Sequence, residues 1–235
     1  MRYNQCHNQH YNQHKPRPSP PPNKSPQATQ SRTMPDFIYL ASQSPRRRQL
    51  LEQIGVAHQL LLPAAHEDSE ALEAILPAEA PADYVQRVTR SKSQAAWQRW
   101  QAQGLPPAPI LCADTTVALG GRILGKPADA AQAQAMLQML SGQQHQVLTA
   151  VVLLNPQSGK QLACCNVSQV LFDVLDATDI AAYIASGEPF GKAGSYGIQG
   201  LAARFIKRIE GSYSAIMGLP LFEVAHMLRQ LPPCD

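Results

Sequence analysis

The stretch IYLASQSPRRRQLL, residues 38–51, restricts the possible folds more than any other part of the chain. Ile38, Tyr39, Leu40 and Ala41 form an apolar run of strand length with β-branched and aromatic character. Ser42, Gln43 and Ser44 follow, and then Pro45. That order suits a helix start, with Ser44 as N-cap and Pro45 at the first helical position. Leu50, Leu51 and Ile54 continue at helical spacing, and Gly55 closes the element. Arg46, Arg47 and Arg48 crowd the first turn, although a helix N-terminus carries about +0.5 charge and disfavours a cation by roughly 0.3–1 kcal/mol. Two readings fit. Either a polyphosphate covers the unpaired N–H groups, joined by the serine hydroxyls, or the arginines form a solvated basic turn.

The rest of the chain narrows the setting. A length of 235 residues suits one large domain or two small ones, and a formal charge of +3 does not by itself call for nucleic acid. No apolar run approaches the roughly 18 residues of a membrane span, and the first ten residues lack the apolar core of a secretory signal. Residues 1–35 are rich in Asn, Gln, His and Pro and are expected to be disordered. His7, His10 and His14 have no scaffold there to fix them as metal ligands. A folded domain over 36–231 follows. The five cysteines are odd in number and contain no CxxC pair, which fits reduced thiols in a cytoplasmic protein.

Along that domain, residues 59–62 form a second strand, after which Glu67 and Asp68 stand either at a ligand-bearing strand end or in an exposed acidic loop. A long helix runs from Pro81 to about Gln101 with Tyr84 and Val88 inward. Its basic residues are mostly solvated, but Lys92 is placed where it could face an anion. Ile110–Ala113 reads as a strand covered on both faces, interrupted by Asp114, with Thr115 and Thr116 next. A carboxylate at the end of a buried strand must be hydrogen-bonded, paired or metal-bound, so Asp114 is catalytic, metal-binding or a cap. Gly120-Gly121 turns a hairpin, Lys126 precedes Pro127 in extended backbone, and Asp129 caps the helix from Ala130 to Leu140. His145, before the strand 147–154, reads as a structural hydrogen-bonder. In GKAGSYGIQG, residues 191–200, glycines at three-residue intervals allow close backbone approach. Lys192 adds a cation, and Gln199 a group able to read a base edge. No Walker A or dinucleotide fingerprint occurs.

Three segments then combine: ASQSPRRRQLL; ADTTVALGGRILGKP with LSGQQHQVLTAV; and KAGSYGIQG with GSYSAIMGLPL. In order and spacing they resemble the Maf family of nucleoside triphosphate pyrophosphatases, in its dTTP/UTP branch rather than its 7-methyl-GTP branch. The resemblance implies hydrolysis between the α and β phosphates with a divalent cation, Mg²⁺ or Mn²⁺. It implies Asp114 as proton acceptor, and Arg46, Thr115 and Gln199 as positions linked to substrate choice. Ser42, Arg47, Lys92 and Lys126 match pocket residues, and Glu67 an acidic position. The chain departs from the family pattern at Ser91, Gly191, Ser195 and Ser214. The expected architecture is α/β: an elongated, twisted mixed sheet flanked by helices, with two lobes and a central cleft. Lys92 and Lys126 would assist Asp114 in catalysis, Ser42, Arg46, Arg47, Thr115, Lys192 and Gln199 would bind substrate, and Glu67 with Asp114 would hold the metal. A homodimer is implied by the resemblance. A non-catalytic nucleic-acid-binding or cell-division regulator is the rival reading, disfavoured because few aromatics accompany the basic residues.

Overall fold

The computed structural model describes residues 35–64, 67 and 71–234. The expected N-terminal arm up to residue 34, with its histidines, and Asp68 lie outside the described residues. The first apolar run is strand β1 (Ile38–Leu40), and the helix after it is α1 (Pro45–Gln53). Strand β2 is His58–Leu60, a little earlier than expected, and helix α2 is Pro81–Gln103, closed by Gly104 in the left-handed region at φ 57°. Then come β3 (Ile110–Leu119), β4 (Arg122–Leu124), α3 (Ala130–Leu140), β5 (Gln144–Leu154), β6 (Gln161–Phe172) and α4 (Ala177–Ala185). Strand β7 (Ile206–Glu210), the short helix α5 (Tyr213–Ile216) and α6 (Leu221–Gln230) complete the chain. The helix caps follow local chemistry: Asp129 Oδ1 accepts from Gln132 N at 2.8 Å and Asp176 Oδ1 from Asp179 N at 2.7 Å. Both glycines of the hairpin between β3 and β4 have positive φ, 55° at Gly120 and 83° at Gly121, as a tight two-residue turn requires.

The strands form one mixed sheet in the order β2-β1-β3-β5-β6-β7, with β4 paired to β3. β2, β1 and β3 run parallel, while β3, β5, β6 and β7 run antiparallel. This is the mixed α/β sheet flanked by helices that the sequence implied. Its chain connectivity corrects one expectation. Asp114 does not end a strand: β3 runs unbroken through it, and Asp114 pairs with Ala150 of β5. What ends is the neighbour. β1 pairs with β3 only at Tyr39–Ile110 and Leu40–Leu111, so Asp114 emerges just past the carboxyl end of β1, at the point where pairing changes direction. Open α/β sheets place their ligands at such points.

Side-chain alternation along β3 sorts the core onto two faces. Leu111 and Ala113 pack with Leu50 and Leu51 of α1 and Val224 and Leu228 of α6. Ile110 and Cys112 face the other way, onto Ala96 of α2, and Ala118 joins Val85 and Val88 there. A separate cluster gathers Leu137 and Leu140 of α3, Ile180 and Tyr183 of α4, and Val117 and Phe205. Cys112, Cys164 and Cys165 are unbridged thiols. Among the described residues no helix is long and apolar enough to cross a membrane.

Candidate active site

The same alternation builds the site. Asp114 lies on the α2 face of β3, and its Oδ1 accepts from Lys92 Nζ of α2 at 2.6 Å. Thr115, one residue on, lies on the α1 face and accepts from Arg47 Nη2 at 3.3 Å. One strand therefore presents an acid to a lysine and a hydroxyl to an arginine at adjacent positions. Arg47 is held by three neutral oxygens, its Nε donating to Gly218 O at 2.8 Å and its Nη1 to Ser42 Oγ at 3.0 Å. Burial pushes its pKa down, opposed chiefly by the Asp114 carboxylate. Thr115 Oγ1 also bonds Thr149 Oγ1 at 3.0 Å, and Thr149 donates to Ala215 O at 2.7 Å, which ties the arginine's seat to β5 and α5.

These groups line a cavity of about 660 Å³, within the usual range for a small-molecule site. Every site residue singled out from the sequence lines it: Ser42, Arg46, Arg47, Glu67, Lys92, Asp114, Thr115, Lys126, Lys192 and Gln199. Arg48 does not. It is exposed on the outer side of α1, so two of the three arginines point to the cavity. Ser44 occupies the N-cap position, but its side chain makes no capping bond. Ser42 Oγ instead accepts from Ser44 N at 3.2 Å, which leaves the first-turn N–H groups of α1 without a side-chain cap. Arg46 is half-buried, and desolvation lowers its pKa against the attraction of Glu188.

Several expected contacts turn out differently. Arg99, one of the basic residues of α2 expected to be mostly solvated, is buried and grips Glu67, with Nε donating to Oε1 at 2.9 Å and Nη2 to Oε2 at 2.5 Å. Glu67 Oε1 also accepts from Ala64 N at 3.0 Å, so both of its oxygens are engaged. Lys192 lines the cavity, yet its Nζ donates to the Glu188 carbonyl oxygen of its own loop. Its pKa is lowered by burial and by Arg46 nearby. Glu188 braces that loop: its carboxylate accepts from Tyr183 Oη at 2.9 Å and from Leu201 N at 2.8 Å. A Cβ on Gly200 would sit 2.2 Å from Glu188 Oε1, so any larger residue there would displace that carboxylate. Gln199, beside it, is exposed and forms no hydrogen bond with the described residues.

Sequence reasoning missed two residues. Glu73, in the 3₁₀ turn Ala71–Glu73, accepts from Lys92 Nζ at 2.7 Å and from Lys126 Nζ at 2.8 Å. Burial raises its pKa, but the two ammonium groups outweigh this and hold it below the ordinary value. Nothing in the local pattern marks it, because its partners come from α2 and from the segment after β4. Phe190 is the other. The Tyr84 and Tyr196 hydroxyls are occupied, by Glu73 O and His145 Nε2, whereas the Phe190 ring at the cavity wall is 41% exposed. Its signal was an aromatic beside a glycine-rich loop.

Among the described residues no three His, Cys, Asp or Glu side chains converge as a metal site. The donors do fit a hard cation of the Mg²⁺ or Mn²⁺ kind. Such ions bind through one or two carboxylates and complete their shell with water and phosphate oxygens. Asp114, whose second oxygen makes no hydrogen bond with the described residues, would supply the first, and Glu67 lines the same cavity but would have to loosen its hold on Arg99.

Comparison with known proteins agrees with this geometry. A protein-family model described as Maf-like protein matches residues 37–231. The chain is 62% identical over 193 residues to a protein of Ralstonia nicotianae named dTTP/UTP pyrophosphatase, covering 82% of this chain and 93% of that one. Proteins of the same name from Albidiferax ferrireducens (59% identity, 83% and 97% coverage) and Cupriavidus pinatubonensis (57%, 84% and 98%) match as fully. The family model and these relatives each span more than four-fifths of the chain, including the arginine-bearing turn, Asp114 and the glycine-spaced loop, and the chain belongs to the Maf family.

Proposed function

We propose that this protein hydrolyses dTTP and UTP between the α and β phosphates, releasing the nucleoside monophosphate and pyrophosphate. The observation that carries the reading is one cavity lined by Lys92, Lys126, Arg46 and Arg47, in which Lys92 Nζ donates to the carboxylate of Asp114. The names of the similar proteins support the choice of pyrimidine nucleotides. Arg46 and Arg47 form no ion pair with a described residue, so their charge is available to a polyanion. With the uncapped N-terminus of α1 they attract the phosphate tail. Gln199, Thr115 and the open ring of Phe190 line the same cavity and are assigned to the base and sugar.

In the reaction the chain's own groups position and neutralise, as phosphoryl transfer chiefly needs. Asp114 accepts the proton of a water whose oxygen bonds to phosphorus, and the bridging P–O bond breaks with its electron pair leaving on pyrophosphate. Lys92 and Lys126 balance the negative charge that grows on that leaving group. Ser42 keeps Arg47 in place by hydrogen bonding rather than by acting as a nucleophile. A divalent cation bound at Asp114 would further neutralise the phosphates. Pairing of two copies is also part of the proposal, supported by the family resemblance, and sedimentation reads it directly.

The test is a side-by-side assay of dTTP, UTP and 7-methyl-GTP with Mg²⁺, with all phosphorus products resolved. Pyrophosphate and monophosphate should appear together from the two pyrimidine nucleotides, and Asp114→Asn should lower kcat by about 10²–10⁴-fold. Release of single phosphates, or faster turnover of the methylated purine, contradicts the reading.

A further inference from the structure

Glu73 has no part in the reaction just described, yet it occupies its most cationic corner. Its two oxygens divide between Lys92 at 2.7 Å and Lys126 at 2.8 Å, much as two oxygens of one phosphate would. Lys92 also holds Asp114 at 2.6 Å, so two ammonium groups and two carboxylates close into a neutral set. The turn bearing Glu73 is anchored through its backbone, where Tyr84 Oη donates to Glu73 O at 3.0 Å. Its side chain is 24% exposed, and the backbone bond holds the turn independently of where the carboxylate sits. Any phosphate that reaches both lysines has to take the place of this carboxylate.

We propose that Glu73 is a specificity-determining counter-ion, which holds the subsite of Lys92 and Lys126 against short phosphates and yields it to a nucleoside triphosphate. The inference rests on the pyrophosphatase reading and deepens it. A triphosphate brings about four negative charges together with base and sugar contacts. A monophosphate brings fewer charges, and pyrophosphate brings no base, so each competes less well with a carboxylate already in place. The same competition returns Glu73 to the lysines after cleavage and favours departure of the products.

Glu73→Gln keeps the shape and removes the charge. Calorimetric titration with inorganic pyrophosphate, which needs no turnover, should show the variant binding about tenfold more tightly than the wild type. Inhibition of UTP hydrolysis by pyrophosphate and by UDP should strengthen to match, and Glu73→Ala should behave in the same way. Unchanged or weaker pyrophosphate binding in both variants, with melting temperatures preserved, overturns the proposal. So does a selective rise in the Mg²⁺ concentration required, which would make Glu73 a cation ligand. Failure of the wild type to release pyrophosphate from UTP would instead overturn the pyrophosphatase reading, whatever Glu73→Gln binds.

Discussion

His145 shows how much a single buried side chain contributes. It is 1% exposed, bonds Tyr196 Oη through Nε2 at 2.8 Å, and meets the Phe172 and Tyr196 rings edge-on. Burial lowers its pKa from 6.5 to about 4. In the folded protein it therefore stays neutral where the unfolded chain takes up a proton. Its contribution to stability is complete above pH 6.5 and is lost as pH falls from 6.5 toward 4, by up to about 3 kcal/mol. Melting curves across that window should show a steeper acid loss for the wild type than for His145→Gln; parallel slopes would remove the histidine from this role. The structural role of His145 was legible in the sequence, because a lone histidine beside an apolar strand has little else to do. Asp114 was legible too, as a carboxylate inside an apolar run. Its environment was not. Lys92 arrives from a helix and Glu73 from a turn with no periodicity, and such meetings depend on how elements cross rather than on local spacing. Arg99 was not singled out for the same reason: on a helix, a buried arginine looks like a solvated one until its carboxylate partner is placed.

At the scale of elements, most helices and strands announced themselves through apolar periodicity and end signals. Pro45, Gly55, Pro81, Gly104 and Asp129 mark the limits of α1, α2 and α3 close to where the structure has them. The error lay in β3, where a charged residue in an apolar run was read as an end. A polar residue does not break a strand when it projects onto a face with a partner waiting, as Lys92 waits for Asp114. The glycine-spaced loop was legible as a site of close approach, and the structure supplies the reason at Gly194. Its φ is 64°, and a Cβ there would meet Val117 side-chain atoms at 2.9 Å. Gly194→Ala should cost about 1–3 kcal/mol through overpacking and backbone strain. At roughly 2–4 °C per kcal/mol for a domain of this size, the loss is readable as a fall in melting temperature. Because Ala193 and Tyr196 of the same loop line the cavity, the KM for UTP should rise as well. An unchanged melting point and KM would show that the loop can move away from β3 freely.

Across the whole molecule, function follows from sheet order. β1 ends early, β3 continues, and the gap past the end of β1 lies between α1, with its arginines, and α2, with Lys92. Strand order and register could not be read from the chain, since parallel and antiparallel neighbours of β3 draw on similar apolar residues. The family resemblance pointed to a mixed sheet with a cleft and to the candidate site residues, not to the strand order. Opposite charges are gathered around one hollow, which the glycine-spaced loop also lines. The most direct test is a crystal structure with α,β-methylene-UTP, whose bridging carbon resists hydrolysis. The expected result places its phosphate tail within hydrogen-bond reach of Arg46, Lys92 and Lys126, with the α-phosphorus facing Asp114 and Glu73 displaced from the lysines. A triphosphate bound outside this cavity, or lying in it with its phosphates turned away from Asp114, would contradict the account.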